Sequence, residues 1–391
     1  MTARRIDSAY VAGFVAFLIT AAISHLRATP YDNYVLLAQA WLHGHSWIEW
    51  PGAYIDALGY NGQHYIIEAP LPAVLAIPLV AMFGTGANQT IVVAFLAAVA
   101  VGAAWRLGER FGLNAESNAW ICAFLLAGTD LLWCASLGDV WFAAHVSAAC
   151  FTLLALAELA GPRRAWLVAL WAACAFESRF SLIVALPIYW IVCAAGSENG
   201  FGDTSAWRRA TIGFAAVLVP VGILWTWYNF ARWGTWNDIG YTEWYHQDQA
   251  GLPTGSPFRL AYLPYQLTSF FVQYPTVLNI FPWLRPEMGG VALTWTSPAL
   301  VLAFFARGPL RWILALWLLT ILAAIPNFLY YVNGFAQFGM RHALDFEPFL
   351  VALMMLAVRD RFPRWAYVLV AYSVAVGLWG CWFWHVYVRP A

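Results

Sequence analysis

The sequence predicts an all-α integral membrane protein with about eleven transmembrane helices in a single domain covering residues 1–391. Three observations support this prediction. Only 10% of the 391 residues are charged and 62% are hydrophobic, whereas soluble globular proteins carry roughly 25% charged residues. Apolar runs of membrane-spanning length recur along the chain, and no tandem repeat or polar domain interrupts them. The 24 Trp and 18 Tyr residues fit aromatic belts at both membrane interfaces.

Charge and cysteine content narrow the function classes. The formal net charge is zero, so nothing indicates a nucleic-acid partner. All six cysteines lie inside apolar runs and lack the spacing of metal ligands. We therefore predict that they are small core side chains and do not form disulfides. We therefore expect the functional residues among the polar side chains that interrupt the apolar runs.

The first apolar run covers residues 8–25 and follows two arginines. A cleaved signal peptide is the competing interpretation, but the run is longer than a typical signal core and ends without a small-residue cleavage site. We therefore predict a retained helix with its N-terminus inside. Further single spans are predicted near residues 87–106, 118–137, 143–160, 210–229, 291–306, 312–331, 345–358 and 366–388.

Arginine clusters predict the orientation of these spans. The clusters fall at residues 4–5, 106–110, 163–164, 208–209, 307–311 and 359–364. If all of them lie inside, the parity of the spans agrees with the positive-inside rule. The loops at about 28–86, 230–290 and 332–344 then face outside. The expected location is a bacterial inner membrane, with a cytoplasmic N-terminus and an active site on the periplasmic face.

Two apolar segments do not fit a simple crossing. Residues 70–83 are short and contain three prolines, and a crossing there would place the arginines at 106–110 outside. We predict an interfacial helix instead, within the first outer loop. Residues 165–195 are too short for two full spans, which need about 40 residues together. We predict two short helices that meet at Glu177–Arg179, with Arg179 facing a polar cavity. The alternative is an internal pair between Glu177 and Arg179.

The first outer loop concentrates polar residues beside the first span. It holds three of the eight histidines. Its acidic residues are Asp32, Glu49, Asp56 and Glu68. If residues 32–43 are helical, Asp32, Gln39 and His43 lie within about 40° of one another on one face. Asp32 is therefore an N-cap, a catalytic residue or both.

A metal site in this loop is the alternative interpretation of its polar residues. His43, His45 and His64 with Glu68 supply ligand types suited to a divalent metal ion, but their spacing matches no strong metal motif. No cofactor is predicted with certainty, and a divalent metal ion stays an alternative. We predict no metal-ligating residues.

Two further charged residues are predicted at outer helix ends. Asp139 lies at the outer end of the third span and is a better site candidate than Asp130, which lies roughly 13 Å deeper at helical rise. Arg341 precedes the next-to-last span. The alternative for Arg341 is a snorkelling side chain paired with Asp345 one helical turn further along the chain.

These residues fall within a pattern that resembles GT-C membrane glycosyltransferases, and within them the family 39-like group. That group includes protein O-mannosyltransferases and the lipid A aminoarabinose transferase. The matching residues are Tyr31-Asp32, Gly62-x-x-Tyr65-x-x-Glu68-x-Pro70, Phe83-Gly84, Tyr228-Asn229-x-x-Arg232-x-Gly234, Gly240-Tyr241 and Gly334-x-x-x-Phe338-Gly339-x-Arg341 followed by Pro348. Each motif is short, but their order and their predicted side of the membrane agree.

The resemblance implies transfer of a sugar from a polyprenyl-phosphate carrier to a glycolipid, glycan or protein acceptor on the outer face. It implies that Asp32 is the catalytic base and that Glu68 and Asp139 match acids of the site. Arg341 and Arg179 would then hold the carrier phosphate. The chain departs from aminoarabinose transferases at Ala69, where those enzymes carry a basic residue, which argues against identity with them.

Other functions fit parts of the sequence. A transporter or flippase would be expected to show internal repeats and charges near the midplane, whereas most polar residues here lie in the predicted outer loops. A membrane acyltransferase would use a histidine such as His145 or His342, which leaves the acidic first loop unexplained. A catalytically silent GT-C scaffold is the third alternative.

Overall fold

The computed structural model describes residues 7–52, 55–195, 202–248, 255–334 and 336–389. These ranges form a mostly helical bundle. Its α-helices are α1 (Ser8–Ser24), α2 (Asn33–Leu42), α3 (Leu71–Phe83), α4 (Gln89–Phe111), α5 (Ala115–Ala123), α6 (Leu131–Leu137), α7 (Val140–Ala160), α8 (Ala165–Phe176), α9 (Leu186–Ala195), α10 (Thr204–Trp233), α11 (Gly240–Asp248), α12 (Leu263–Phe271), α13 (Leu293–Thr296), α14 (Leu310–Leu329), α15 (Glu347–Val358) and α16 (Arg364–Phe383).

Shorter elements join or extend these helices. Short 3₁₀ or π segments cover Phe124–Gly128, Phe180–Ala185, Pro298–Phe305, Arg341–Asp345 and Trp384–Val388. Two small antiparallel hairpins pair β1 (Leu58–Tyr60) with β2 (Gln63–Tyr65), and β3 (Thr276–Val277) with β4 (Leu284–Arg285). The all-α prediction therefore missed two hairpins, because strands of two or three residues leave no alternating apolar pattern to read.

Side-chain caps begin several helices where the sequence provides a suitable residue. The carboxylate of Asp7 accepts a hydrogen bond from the Ala9 amide at the start of α1. The Asn88 side chain accepts one from the Thr90 amide at the start of α4. Such caps satisfy backbone donors that have no partner within the helix. The long buried helix α7 lies at the centre of the bundle, packed against α4 and α8.

Within the residues that the structure describes, five helices are long and apolar enough to cross a membrane: α4, α7, α10, α14 and α16 extended to Val388. A sixth candidate is residues 115–137, a helix pair bent by 51°. The span predicted near 118–137 corresponds to this bent pair. The bend lies at Thr129–Asp130, between the π turn and α6. The segment predicted as a span at 291–306 contains only α13 and a 3₁₀ segment. The count of eleven spans stays a prediction.

The predicted break in residues 165–195 is confirmed. Helix α8 ends at Phe176, and a 3₁₀ segment begins at Phe180 before α9 continues to Ala195. The carbonyl of Glu177 accepts a hydrogen bond from the Leu71 amide, which ties the break to the first residue of α3. The break therefore meets the first outer loop, as the site prediction required.

Arginine-rich segments gather at one end of the bundle. Arg106 near the end of α4 pairs with Asp7 at the start of α1. Arg110 donates to the carbonyl of Ala157 near the end of α7. Arg163 and Arg209 line one small cavity of about 240 Å³. The Arg307 amide donates to the carbonyl of Leu356, and Arg359 lies beside Gly112 at the end of α4. These contacts place the clusters on the same side, as predicted, apart from Arg4 and Arg5, which lie outside the described residues.

Loops from three predicted outer segments meet at the opposite end. Ser46 donates to the carbonyl of Ala231 over 3.1 Å, and the Gly59 amide donates to the Gln247 side chain over 3.2 Å. A bridge joins Phe258 to the chain just after α14. The two ends of the bundle thus differ as the charge pattern predicts, although their orientation in a membrane stays a prediction.

One close approach between helices depends on glycine. Gly377 in α16 faces the π turn at Phe124–Gly128, where a Cβ atom would lie 1.8 Å from the carbonyl oxygen of Ala127. That contact involves backbone, which cannot move as a side-chain tip can. By contrast, a Cβ atom at Gly222 in α10 would meet no atom within 4 Å.

We expect Gly377→Ala to lower the thermal unfolding temperature of the detergent-solubilised protein, because α16 must move away from the π turn. The loss of packing should cost about 1–3 kcal/mol. The matched variant Gly222→Ala should leave the unfolding temperature unchanged or raise it, since alanine favours a helix by about 0.5–1 kcal/mol. Equal effects of the two substitutions would contradict the close approach.

Candidate active site

A cavity of about 820 Å³ lies where the first outer loop, the start of α7, the break after α8 and the segment before α15 converge. Its volume suits a small-molecule ligand. Polar side chains occupy one part of its wall: Asp56, Glu68, His145, Arg179, Asp238, Arg341 and His342. Apolar side chains from α10, α14 and the 3₁₀ segment before α9 form another part: Ile183, Val184, Leu218, Val221, Ile325 and Leu329.

The Asp345 carboxylate does not line the cavity but joins several of the polar residues that do. It is fully buried. It accepts hydrogen bonds from Arg179 Nη2 at 3.1 Å, Ser181 Oγ at 2.8 Å and Asn327 Nδ2 at 3.1 Å. It also bonds to Nδ1 of His145 at 2.9 Å. These partners come from α7, the break after α8 and α14, so one buried charge joins three parts of the bundle.

Arg179 lines the cavity, as the broken-helix prediction requires. Its guanidinium group is engaged, however, because Nε and Nη2 both bond to Asp345. The ion pair forms with Asp345 and not with Glu177, so the sequence-based alternative for Arg179 named the wrong partner. A neutralised arginine binds phosphate less strongly than a free one, which weakens the prediction that Arg179 is a phosphate ligand.

Arg341 differs from Arg179 in having no anionic partner within the described ranges. Its side chain is buried, and its Nε and Nη1 atoms have no hydrogen-bond partner there. The guanidinium carbon lies 5.2 Å from the ring centre of Phe142 and 6.0 Å from that of Trp141. Burial lowers the pKa of Arg341 to about 10, so the group stays charged at neutral pH. The alternative pairing of Arg341 with Asp345 is not formed, since Asp345 binds Arg179.

A glycine makes room for this arginine. Gly334 has a φ of +105°, in the region that favours glycine, and a Cβ atom there would lie 2.6 Å from Oε1 of Gln337 and 3.2 Å from the guanidinium carbon of Arg341. The structure thus gives a physical reason for glycine at position 334. A buried cation without a partner is costly in free energy unless an anion binds it.

Glu68 lies between β2 and α3 and lines the cavity. Burial and the nearby Asp56 raise the pKa of Glu68 to about 8, and its Oε2 atom has no partner among the residues described. Buried Arg232 supports this segment by donating to the carbonyl of Ile66 and to Asn229. Asp56 is a cavity residue that the sequence analysis did not select; its place in the acidic first loop was the only signal.

Asp32 directly precedes α2 and is half-buried, and burial raises its pKa. Its side chain makes no capping hydrogen bond, so the N-cap role is not seen. It is not among the residues that line the cavity. The preceding Tyr31 ring packs 4.9 Å from the ring of Trp141, a cavity residue. Asp32 therefore follows a residue that packs on the cavity wall, and its catalytic role stays a prediction.

Asp139 is fully buried and lies outside the cavity lining. Its carboxylate accepts hydrogen bonds from Thr29 Oγ1 and from Arg389 Nη1, the latter at 2.7 Å. Thr29 Oγ1 in turn accepts a bond from the Tyr31 amide. These contacts fix the segment before Asp32 and give Asp139 a positioning role, while its predicted catalytic role has no support from geometry.

The histidines of the first loop do not converge. His43 contacts Gln39, whereas the rings of His45 and His64 pack on Trp47 and Trp50. Across the part of the chain that the structure describes, no group of three or more His, Cys, Asp or Glu side chains is arranged to hold a metal ion. The histidine alternative for a metal site therefore has no support from geometry.

The arrangement of the helices resembles that of a solved structure. The chain is similar to ArnT from Cupriavidus metallidurans, solved with bound undecaprenyl phosphate, with a TM-score of 0.55 at 16% sequence identity. The match covers 98% of this chain and 65% of that protein, so the chain spans about two thirds of its length. No protein-family model and no curated protein matches the sequence. The GT-C-like fold is thus confirmed.

We expect Asp345→Ala to destabilise the protein strongly. Removal of this carboxylate leaves the half-buried Arg179 charge without its anionic partner, and breaking a buried ion pair typically costs about 3–5 kcal/mol. The measurement is the free energy of unfolding in mixed micelles. Asp360→Ala is the matched control, because its ion pair with Arg359 is exposed and such pairs contribute about 0–1 kcal/mol. A similar small effect at both positions would contradict this role of Asp345.

Proposed function

We propose that this chain is a membrane glycosyltransferase that moves a sugar from a polyprenyl-phosphate donor to a cell-envelope acceptor on the outer face of the membrane. The observation that carries the proposal is Arg341, a buried cation without an anionic partner in the described residues, on a cavity with both a polar and an apolar wall. A lipid phosphate would supply an anion to Arg341 and an apolar chain to the apolar side chains of the cavity. The bound undecaprenyl phosphate of the similar ArnT structure supports this choice of ligand.

The apolar wall suits the polyprenyl chain. Helix α10 forms part of it through Leu218 and Val221, while Val219 and Ile223 on its other face are exposed. In a bilayer, α10 would therefore separate the cavity from lipid. A donor of this kind would enter laterally between helices with its phosphate directed to Arg341.

The polar wall suits the transfer step. The acceptor oxygen attacks the anomeric carbon as a carboxylate takes its proton, and the bond from that carbon to the phosphate oxygen breaks. The leaving phosphate gains negative charge, which Arg341 stabilises. We propose Asp32 as the proton acceptor. Protonated Glu68 binds the sugar, with Asp56 beside it. Arg179 and Asp139 hold the site in shape.

The proposed chemistry places no resident metal or cofactor in the cavity, because Arg341 supplies the charge that a metal ion would provide. We expect turnover to survive treatment with EDTA and a metal-free exchange of buffer. The measurement is release of undecaprenyl phosphate from its sugar conjugates. If activity were lost and then restored by Mg²⁺ or Mn²⁺, a divalent ion would belong to the reaction.

Arg341→Gln should weaken binding of undecaprenyl phosphate about 10–100-fold, the effect of losing a hydrogen bond to a charged group. The thermal stability of the ligand-free variant should stay unchanged or rise, because a buried unpaired charge is removed. Arg285→Gln is the matched control, since Arg285 is exposed on the β4 strand. Unweakened binding by Arg341→Gln would overturn the phosphate assignment.

The pH dependence of turnover tests whether Glu68 acts as a protonated sugar ligand, as proposed, or as the catalytic base in place of Asp32. Glu68 stays protonated below about pH 8 in the folded protein, so the rate should fall as the pH rises through that value. Glu68→Gln keeps a hydrogen-bond donor and should remove this alkaline limb. A rate that rises through pH 8 in the wild type, and is abolished by Glu68→Gln, would make Glu68 the base instead.

Asp32→Asn should lower the turnover number about 10²–10⁴-fold at every pH, the usual contribution of a general base. Glu49→Gln, an exposed acid of the same loop, is its control. Retained sugar transfer by Asp32→Asn would contradict the assignment of Asp32 as the general base. A transporter or a silent scaffold would be favoured if two results were found together. The Asp32→Asn variant would keep its cellular activity, and gene deletion would leave the inventory of envelope glycans unchanged when measured by mass spectrometry.

A further inference from the structure

The imidazole of His145 has one engaged and one unengaged nitrogen. Nδ1 lies 2.9 Å from an oxygen of Asp345, and Nε2 has no hydrogen-bond partner in the described chain. Asp345 also pairs with Arg179, so its carboxylate is ionised and can only accept. Nδ1 therefore carries the proton, and Nε2 presents a lone pair. The ring is buried and lines the cavity.

The position of His145 relates it to the proposed phosphate site. His145 and Trp141 are one turn apart on the cavity face of α7. The His145 ring lies 5.1 Å from the ring of His342, which directly follows Arg341 in the chain. A group attached to a phosphate held by Arg341 would therefore reach the neighbourhood of Nε2.

A buried acceptor without a partner costs free energy, which a ligand donor can recover. The polyprenyl chain has no such donor, whereas every sugar carries several hydroxyl groups. We propose that His145 determines specificity: its Nε2 accepts a hydrogen bond from a hydroxyl of the donor sugar, so that the cavity prefers a glycosylated polyprenyl phosphate to bare polyprenyl phosphate. This inference rests on the proposed function and deepens it.

Asp345 and Arg179 act through His145 as positioning residues. Asp345 fixes the tautomer and the orientation of the ring, and Arg179 keeps Asp345 ionised. This role gives a reason for the ion pair between Asp345 and Arg179, which the transfer step itself does not use. It also separates Arg179, which shapes the sugar subsite, from Arg341, which faces the phosphate.

The test compares binding of two kinds of probe by the full-length protein in nanodiscs. One probe is undecaprenyl phosphate, and the others are its glucose, mannose and aminoarabinose conjugates. The wild type should prefer at least one conjugate to the bare phosphate. His145→Ala should lose about 10–100-fold of that preference, with binding of undecaprenyl phosphate changed less than about 3-fold. His145→Gln places a carbonyl oxygen near the Nε2 position and should restore part of the preference.

The control variant is His385→Ala, because His385 bonds to Ser136 and does not line the cavity. Three results would overturn the inference: no preference for any conjugate in the wild type, an unchanged preference in His145→Ala, or an equal loss of both probes by folded His145→Ala and His145→Gln. Failure of the proposed function has a different signature, since neither the wild type nor any variant would then bind undecaprenyl phosphate.

Discussion

The ion pair between Asp345 and Arg179 is the interaction on which the site depends. A carboxylate without solvent contact is stable only when cations and hydrogen-bond donors surround it. Asp345 obtains them from α7, from the break after α8 and from α14. The break after α8 therefore has a structural role, because it brings Arg179 and Ser181 to the buried Asp345 carboxylate.

The two cavity arginines carry the same charge but have different surroundings. Arg179 is neutralised, whereas Arg341 lies beside the rings of Phe142 and Trp141 and has two nitrogen atoms that bond to nothing in the described chain. An anion that reached this part of the cavity would therefore be attracted to Arg341. In the proposed reaction, the apolar side chains of α10 and α14 would contact the lipid tail, and the polar acceptor would arrive from the loops.

Much of the fold could be predicted from composition and charge. The broken segment at 165–195 was predicted because arginines on both of its sides restrict the number of crossings, and its break lies at Glu177–Arg179 as expected. The shared side of the arginine clusters followed from the same reasoning. The bend at Thr129–Asp130 could not be predicted, because the hydrophobic pattern of an apolar run is the same for a straight helix and for one bent by 51°.

The sequence by itself determined which residues are candidates, because acids, histidines and arginines stand out in a chain with 10% charged residues. Only the tertiary structure decided their partners. It placed Asp139 with Arg389 and Asp345 with Arg179. It left nitrogen atoms of Arg341 and His145, two residues that line the cavity, without a partner in the described chain. The physical reason is that pairing of buried charges depends on distances of about 3 Å between distant segments. The spacing of residues along the chain does not determine those distances.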